Sequence, residues 1–406
     1  VRKVFTFSPL FLPPSVGLFS VALQWRPSRR IFDMRNTVTV LRLLVGLLFI
    51  FSGLVKANDP QGLAYKMDEY FAVWQWDWAS AYSLWLSLGM NLLEILSGLA
   101  LILGLWAKAN TRLLVALMLF FTFLTGYAAL SGRIKTCGCF GDCIPLQAWQ
   151  SFVKDLVLLA MVLLLAWQHK HITPWLPGPT AITIAAMATI VVVYGQYRVL
   201  QHLPLVDCLP YAAGKNLLQQ MSPPAGSRPD STVVMYKYTK AGQPVAFDAN
   251  QFPADFNDSL YQFVGRETVV VRKGNADAAI KDFALYTAAG TDTTKALLAE
   301  PRPYLLYFAK NFAPLSPEAQ AQFSKLYLKA RQKNMPFFVV SNEPTKAHQW
   351  FNNTHHFNLT ILTCDGTVMK TILRYPTGIV AMQGAVVAHK WAEPDINNAM
   401  AFINQP

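Results

Sequence analysis

The sequence predicts a chain of two parts: an α-helical membrane bundle of five spans, followed by an exported α/β region. Three observations carry this. Apolar residues make up 53% of the chain against 14% charged ones, and they crowd into the first half. There they form five windows long enough to cross a bilayer, since about 30 Å of hydrocarbon takes about 20 helical residues. Beyond residue 203 the texture turns to mixed polar sequence with strand and helix periodicities.

In order along the chain, residues 1–35 read as a cytoplasmic N-terminal tail. Its first 33 residues are rich in Pro and Arg and carry no small-residue cleavage site, and Met34 is a candidate start, which would make them an upstream translation artefact. The windows 38–55, 82–106, 113–130 and 149–167 give a four-helix membrane domain over 36–170, and 181–200 a fifth span over 179–202. Lys154 and Asp155 interrupt the fourth window, so a shorter span beginning near Leu156 is the alternative.

Orientation follows from the flanking charges, because Lys and Arg are retained on the cytoplasmic side. Arg26, Arg29, Arg30, Arg35 and Arg42 precede or open the first span, Lys108 and Arg112 the third, and Lys170 with two histidines lies before the fifth. The first connection carries Asp59, Asp68, Glu69 and Asp77; the third has Arg133 and Lys135 against Asp142, a weak contrary vote. Five spans then put everything after Leu200 outside. The net charge of +12 is explained by this topology. Nucleic-acid binding is set aside, since no basic patch with interleaved aromatics occurs. A transporter is disfavoured too, for want of paired Gly/Pro-broken spans.

The run from Ser222 to Pro229 reads as a linker within a stretch, 203–302, that holds strand-like segments at 233–238 and 268–272. These suggest either a small mixed domain or an extension of the sheet that follows. From 303 to 406 the pattern is strand 304–308, amphipathic helix 317–333, strand 336–340, helix near 345–351, extended stretch 359–363, short helix 366–373, hairpin 379–389 around Gln383-Gly384, and helix 394–402. That order resembles a thioredoxin core. Pro376, in Arg374-Tyr375-Pro376-Thr377-Gly378, occupies the place of the cis proline that thioredoxin-like proteins carry before their third core strand. The resemblance breaks at 309–314, where those enzymes have Cys-x-x-Cys and this chain has no sulfur. Exchange needs an attacking thiolate and a resolving partner, so this domain reads as a docking or structural module. Cys364 reads as a small buried hydrophobe, and His355-His356 as a solvated loop.

Sulfur is the chemistry on offer. Cys137, Cys139 and Cys143 share the loop after the third span, and Cys208 follows the fifth. Glycines 138 and 141 let that loop turn tightly. Cys139 with Cys143, or Cys143 with Cys208, could reach bonding distance, whereas a Cys137–Cys139 bridge would be strained and easily reduced. A structural disulfide and a redox pair are both open. Zinc is discounted, because Cys-x-Cys-x-x-x-Cys departs from the usual spacing and no histidine lies nearby. Glu94, near the middle of the second span, costs about 2.5–3.5 kcal/mol to insert and needs compensation. Arg42 or Lys56 could supply it, Glu94 could be protonated, or the residue could join Asn91 or Ser97 in a packing hydrogen bond.

The membrane half resembles the DoxX-like superfamily, in particular the branch typified by the methylamine-utilisation protein MauE. The resemblance rests on Arg42-Leu43-Leu44-Val45-Gly46 and Phe51-Ser52-Gly53-Leu54-Val55-Lys56, on Glu94 with Gly98 and Gly104, and on Cys137-Gly138-Cys139-Phe140-Gly141. It implies a four-helix core linked to redox chemistry outside the cytoplasm and, by wider analogy, electron transfer between thiols and a quinone. The expected protein is therefore a multi-pass membrane thiol–disulfide exchanger of a bacterial inner membrane, N-terminus inside and C-terminal domain periplasmic. Its partners would be the bilayer and exported client thiols. Cys139 and Cys143 are the candidate exchanging pair, Cys137 and Cys208 relay or resolving residues, and Glu94 a buried acid or quinone contact. The competing reading is a non-enzymatic scaffold with structural disulfides and a partner-binding thioredoxin-like domain.

Overall fold

Runs of Leu, Val, Ile and Phe without interior proline stay helical in lipid, where the backbone has no other hydrogen-bond partner. The structure, a computed structural model, describes residues 34–404 apart from 135–137, 139, 229–230, 249–250, 273 and 275. The tail 1–33, Cys137 and Cys139 therefore lie outside the described residues. Among the described residues, five helices have the length and apolarity to span a membrane: α1 (Met34–Asn58), α3 (Ser83–Leu103), α4 (Ala107–Ser131), α5 (Ala148–Trp167) and α6 (Gly178–Gln201). A shorter α2 (Pro60–Val73) precedes α3. The fourth span begins at Ala148 and is not shortened at Lys154 and Asp155, because those two side chains pair with each other.

Alternating helix directions bring the described residues of 59–82, of 132–147 and of the chain after Gln201 to one end of the bundle, and 104–106 with 168–177 to the other. Exposed tryptophans mark both ends: Trp76, Trp78, Trp85 and Trp149 at the first, Trp106, Trp167 and Trp175 at the second. Such belts are where amphipathic indoles sit at a bilayer surface. Between them α1 and α3 touch backbone to backbone. A Cβ on Gly98 would meet the Gly46 carbonyl oxygen at 2.7 Å, and one on Gly46 would meet that of Gly98 at 2.9 Å. Small residues allow this approach, which dispersion forces then stabilise.

After α6 the chain builds two sheets. It first makes a short α7 (Leu217–Gln220), then the antiparallel sheet of β1 (Ser231–Lys240), β2 (Gln243–Asp248) and β3 (Tyr261–Arg272), in the order β2-β1-β3. Tyr236, Tyr238, Phe247, Phe252, Phe256, Tyr261 and Phe263 form an aromatic cluster on one side of this small sheet. After α8 (Thr294–Leu298) come β4 (Pro303–Ala309), α9 (Pro317–Gln332), β5 (Phe337–Ser341), α10 (Pro344–His348), β6 (Thr360–Thr363), α11 (Gly366–Ile372), β7 (Thr377–Gln383), β8 (Val386–Ala392) and α12 (Ile396–Ile403). Their sheet has the order β6-β5-β4-β7-β8, with β4, β5 and β6 parallel and β7 and β8 antiparallel.

Both faces of the five-stranded sheet are covered, as its near-continuous apolar strands require. Leu305, Tyr307, Val339, Ile379 and Ala381 face Phe323 and Leu326 of α9 and Ile396 of α12. Tyr304, Leu306, Phe308, Val380 and Met382 face the other way, onto Tyr211, Leu217, Phe283, Leu285 and Leu298. Both alternatives for 203–302 find a part here: β1 to β3 form a small sheet of their own, and the segments on either side of it pack on the large sheet. Packing on the large sheet begins before the Pro-rich run and resumes after β3, so the small sheet stands between two segments that belong to the larger core. The amide of Ile280 donates to the Gln220 carbonyl at 2.9 Å, closing the neck of that excursion. Of the pair read as a solvated loop, His356 is exposed, whereas His355 is half-buried, lying on the Trp350 ring and contacting Gln320.

The α1–α3 contact predicts that Gly98→Leu lowers stability by about 1–3 kcal/mol through overpacking. Thermal unfolding in detergent should register it. Gly89→Ala, where a Cβ meets nothing within 4 Å, should leave the transition in place.

Candidate functional site

The site lies where the two halves meet. Asp59 caps α2, accepting from the Gly62 amide at 2.9 Å, and the missing side chain of Gly62 leaves room for an incoming guanidinium. That group belongs to Arg374, just before β7. It donates to Asp59 at 2.8 Å and to Asp142 at 2.6 Å, and lies 5.6 Å from the Tyr65 ring centroid. Burial pushes the Asp59 carboxyl above its usual range, while Arg374 and the Gly62 amide pull it back. A second cation, Lys390 on β8, holds Asp207 at 2.6 Å. Burial lowers its amine, and Asp207 opposes the shift.

Asp142 and Asp207 each precede a cysteine. Cys143 and Cys208 are joined as a disulfide, with Cα atoms 4.8 Å apart. Asn58 clamps the same place from the end of α1, its amide donating to the Val206 carbonyl at 2.8 Å while its oxygen accepts the Val206 amide at 3.1 Å. Of the two pairings the sequence allowed, the structure forms the second. The expected exchanging pair of Cys139 and Cys143 is thus not joined here, because these contacts deliver Cys208 to Cys143. Cys137 and Cys139 lie outside the described residues, but Gly138 between them rests on the Lys66 stem with φ 73°, and Gly141 sits beside Val55 with φ 56°. At both positions a left-handed backbone favours glycine. Phe140 contacts Phe51 and lies under the Lys154 ammonium. Cys364 is unbonded and buried, and burial with nearby Asp365 pushes its thiol up to about 12. It is inert at neutral pH.

Below the loop is an apolar cavity of about 70 Å³ among α1, α3, α4 and α5. Leu48, Phe49, Met90, Met118 and Phe121 line it, with Ser52, Lys56, Glu94, Lys154, Asp155 and, from α2, Lys66 and Tyr70 among its polar side chains. Glu94 is held by Lys56 as a buried ion pair and accepts from Ser52 at 3.0 Å. Arg42, the other candidate partner, points to the far end, where it donates to the carbonyls of Ile102 and Thr173 under Trp175. Asn91 donates to Gln196 of α6, and Ser97 to the Glu94 carbonyl.

Two clefts flank Arg374. One, of about 750 Å³, is lined by Tyr65, Lys66, Glu69, Asp142, Cys208, Lys215, Lys370 and Arg374. The other, of about 480 Å³, is lined by Gln61, Tyr65, Lys310, Asn311, Asn342, Asp365, Thr367, Lys370, Arg374 and Pro376. Asn311, in the loop after β4, has φ 45° and is fixed by reciprocal bonds with Asn342. Next to it the Lys310 ammonium donates to the Leu373 carbonyl at 2.8 Å. Burial, then Arg374 and Lys370, bring this amine down to about 7. Sequence reasoning missed Asp59, Asp207, Lys310 and Lys390. Their signal would have been pairing between segments far apart in the chain, which no local pattern carries.

Among the described residues, five bilayer-length helices, two of them joined by a buried ion pair, define a multi-pass membrane protein. Residues 34–168 match the family model described as methylamine utilisation protein MauE, and constitute a MauE-like membrane domain. Residues 231–273, the small sheet, match a domain of unknown function, DUF8463. Protein TlpB of Flavobacterium psychrophilum is 27% identical over 139 residues, covering 31% of this chain and 35% of that protein. The chain thus spans about a third of the length of this curated relative. No solved structure matches.

The buried charges can be tested one at a time. Lys56→Met strands Glu94 in an apolar setting and should cost about 3–5 kcal/mol, read by thermal unfolding, with Lys56→Met/Glu94→Leu recovering much of it. Lys310, with an unfolded-state value of about 10.4, binds fewer protons folded than unfolded between that pH and about 7. Its contribution to stability therefore rises with pH across that window. The stability of wild type minus that of Lys310→Met should increase by about 1 kcal/mol per pH unit from pH 7 to 9 in denaturant titrations. A flat difference would contradict the assignment.

Proposed function

We propose that this chain is a membrane thiol–disulfide exchange protein of a bacterial inner membrane, with its sulfur loop and C-terminal domain in the periplasm. The carrying observation is the Cys143–Cys208 disulfide at the rim of an open cleft, at the joint of the two halves. Orientation is supported by charge: Arg35, Lys108, Arg112 and Lys170 gather at the end opposite the disulfide, and Asp59, Asp68, Glu69 and Asp77 at its own. The MauE-like match agrees with the redox or maturation role that this resemblance implies.

The C-terminal domain is thioredoxin-like in this reading. The β5-β4-β7-β8 order, the helix α9 between β4 and β5, and Pro376 before β7 support it. Lys310 and Asn311 stand where a dithiol would begin, so the domain contributes binding and not sulfur. In exchange, a client thiolate attacks one sulfur of the Cys143–Cys208 bond and the other leaves as thiolate. The client's second thiol then attacks the mixed disulfide, releasing an oxidised client and two protein thiols. A disulfide between Cys137 and Cys139 would reoxidise them by the same exchange, its bond breaking as the Cys143–Cys208 bond re-forms and its two sulfurs leaving as thiols.

A quinone was the expected acceptor, and the cavity tests it. Its apolar walls and the Ser52, Lys56 and Lys154 donors suit a quinone in polarity. Its volume of about 70 Å³ does not, since a benzene ring occupies an engineered cavity of about 150 Å³. The mechanism therefore stops at the disulfides.

The alternative of a structural scaffold is favoured by one observation: the disulfide staples the two halves together. The readings part in one experiment. Oxidised protein in vesicles is incubated with a reduced two-cysteine peptide and mapped by non-reducing mass spectrometry. Exchange predicts peptide oxidation matched by loss of the Cys143–Cys208 bond, and at least a tenfold slower reaction in Cys208→Ser at equal protein abundance. An intact bond and unoxidised peptide would leave only the scaffold.

A further inference from the structure

The two clefts share Tyr65, Thr367, Lys370 and Arg374. They are lengths of one groove, running from Cys208 past the Tyr65 ring to Lys310. Its walls come from α2 of the membrane domain on one side and from α11 with the loop after β4 on the other. The charges along it are uneven. At the Cys208 end the acids are engaged: Glu69 with Lys66, Asp142 with Arg374, and Asp68 with the Ser83 hydroxyl. At the far end three cations converge. Arg374 is neutralised by Asp59 and Asp142, whereas no carboxylate among the described residues lies within ion-pair distance of Lys310 or Lys370. Asp365, the acid on that wall, accepts the amides of Thr367 and Val368 at the head of α11. Desolvating an ammonium beside two other cations is unfavourable, and an anionic group in the groove would relieve it.

We propose that this groove binds an extended client segment whose cysteine meets Cys208 and whose acidic side chain seats between Lys310 and Lys370. The proposal rests on the exchange reading above and specifies its substrate class: thiols in acidic sequence. In the first step the client thiolate bonds to Cys208 Sγ as the Cys143–Cys208 bond breaks. The electron pair leaves on Cys143 Sγ, which takes a proton from water, so the client sulfur is oxidised and Cys143 reduced. A carboxylate between two ammonium groups forms charge-assisted hydrogen bonds, among the stronger polar contacts available to a peptide.

The test uses full-length oxidised protein in vesicles and three synthetic peptides of one length. Each has a single cysteine flanked by either Glu, Gln or Lys. Initial rates of mixed-disulfide formation are read by mass spectrometry at one pH and matched thiolate concentration. The Glu peptide should react about tenfold faster than the Gln peptide, and the Lys peptide slower than both. The Glu-to-Gln ratio should collapse to within about twofold in Lys310→Met/Lys370→Gln and persist in Lys310→Arg. Equal rates for the three peptides with wild type would overturn the acidic-client proposal and leave exchange standing. No mixed disulfide with any peptide would overturn both. The wild-type series alone separates these outcomes, even if the double variant fails to fold.

Discussion

The guanidinium of Arg374 is the contact on which the joined molecule depends. Its two carboxylate partners come from different parts of the membrane domain, Asp59 at the head of α2 and Asp142 in the sulfur loop. A planar fork of donors suits this geometry, and a lysine in its place would keep the charge but lose the two-way grip. Because the group is buried, releasing either aspartate strands charge in a poorly hydrated place. The second pair, Lys390 with Asp207, repeats the device on the other half of the disulfide. Each bridging sulfur is therefore held through its preceding residue by the sheet-containing C-terminal region. The disulfide is the covalent centre of a joint that ion pairs already align.

The bundle handles its own charges by a different rule. At membrane depth each buried cation has an internal partner: Lys56 takes Glu94, and Arg42 takes two backbone carbonyls near the other end. Neither arrangement adds much net stability over an apolar pair of equal volume. What they do is fix the rotation of α1 against α3, together with the backbone contact at Gly46 and Gly98. That rotation places Val55 and Phe51 against the glycine-rich loop, and so sets where the loop rests.

Much of this was legible in the sequence, for a reason of range. Every span and nearly every strand of the large sheet follows from periodicity within a dozen residues, as the hairpin around Gln383-Gly384 illustrates. Glu94 announced itself by its cost in lipid, although its partner had to be chosen between Arg42 and Lys56 by three-dimensional reach. The joint was not legible. Asp59, Asp142, Asp207, Arg374 and Lys390 are ordinary surface residue types, and only folding brings residues more than 180 apart in sequence into pairs. The 203–302 segment stayed open between a separate unit and an extension of the sheet for a related reason. Its core-forming residues, Tyr211, Leu217, Phe283 and Leu298, are scattered on either side of a strand-rich stretch, so local texture did not decide between them.

The neck formed by Gln220 and Ile280 gives that stretch an unusual freedom. Chain leaves and re-enters the larger core where the Ile280 amide meets the Gln220 carbonyl, so the three strands beyond can be shortened, enlarged or exchanged without rethreading the architecture that carries them. Evolution can vary this appendage independently of its base, and a protein engineer can treat the neck as a port for grafting.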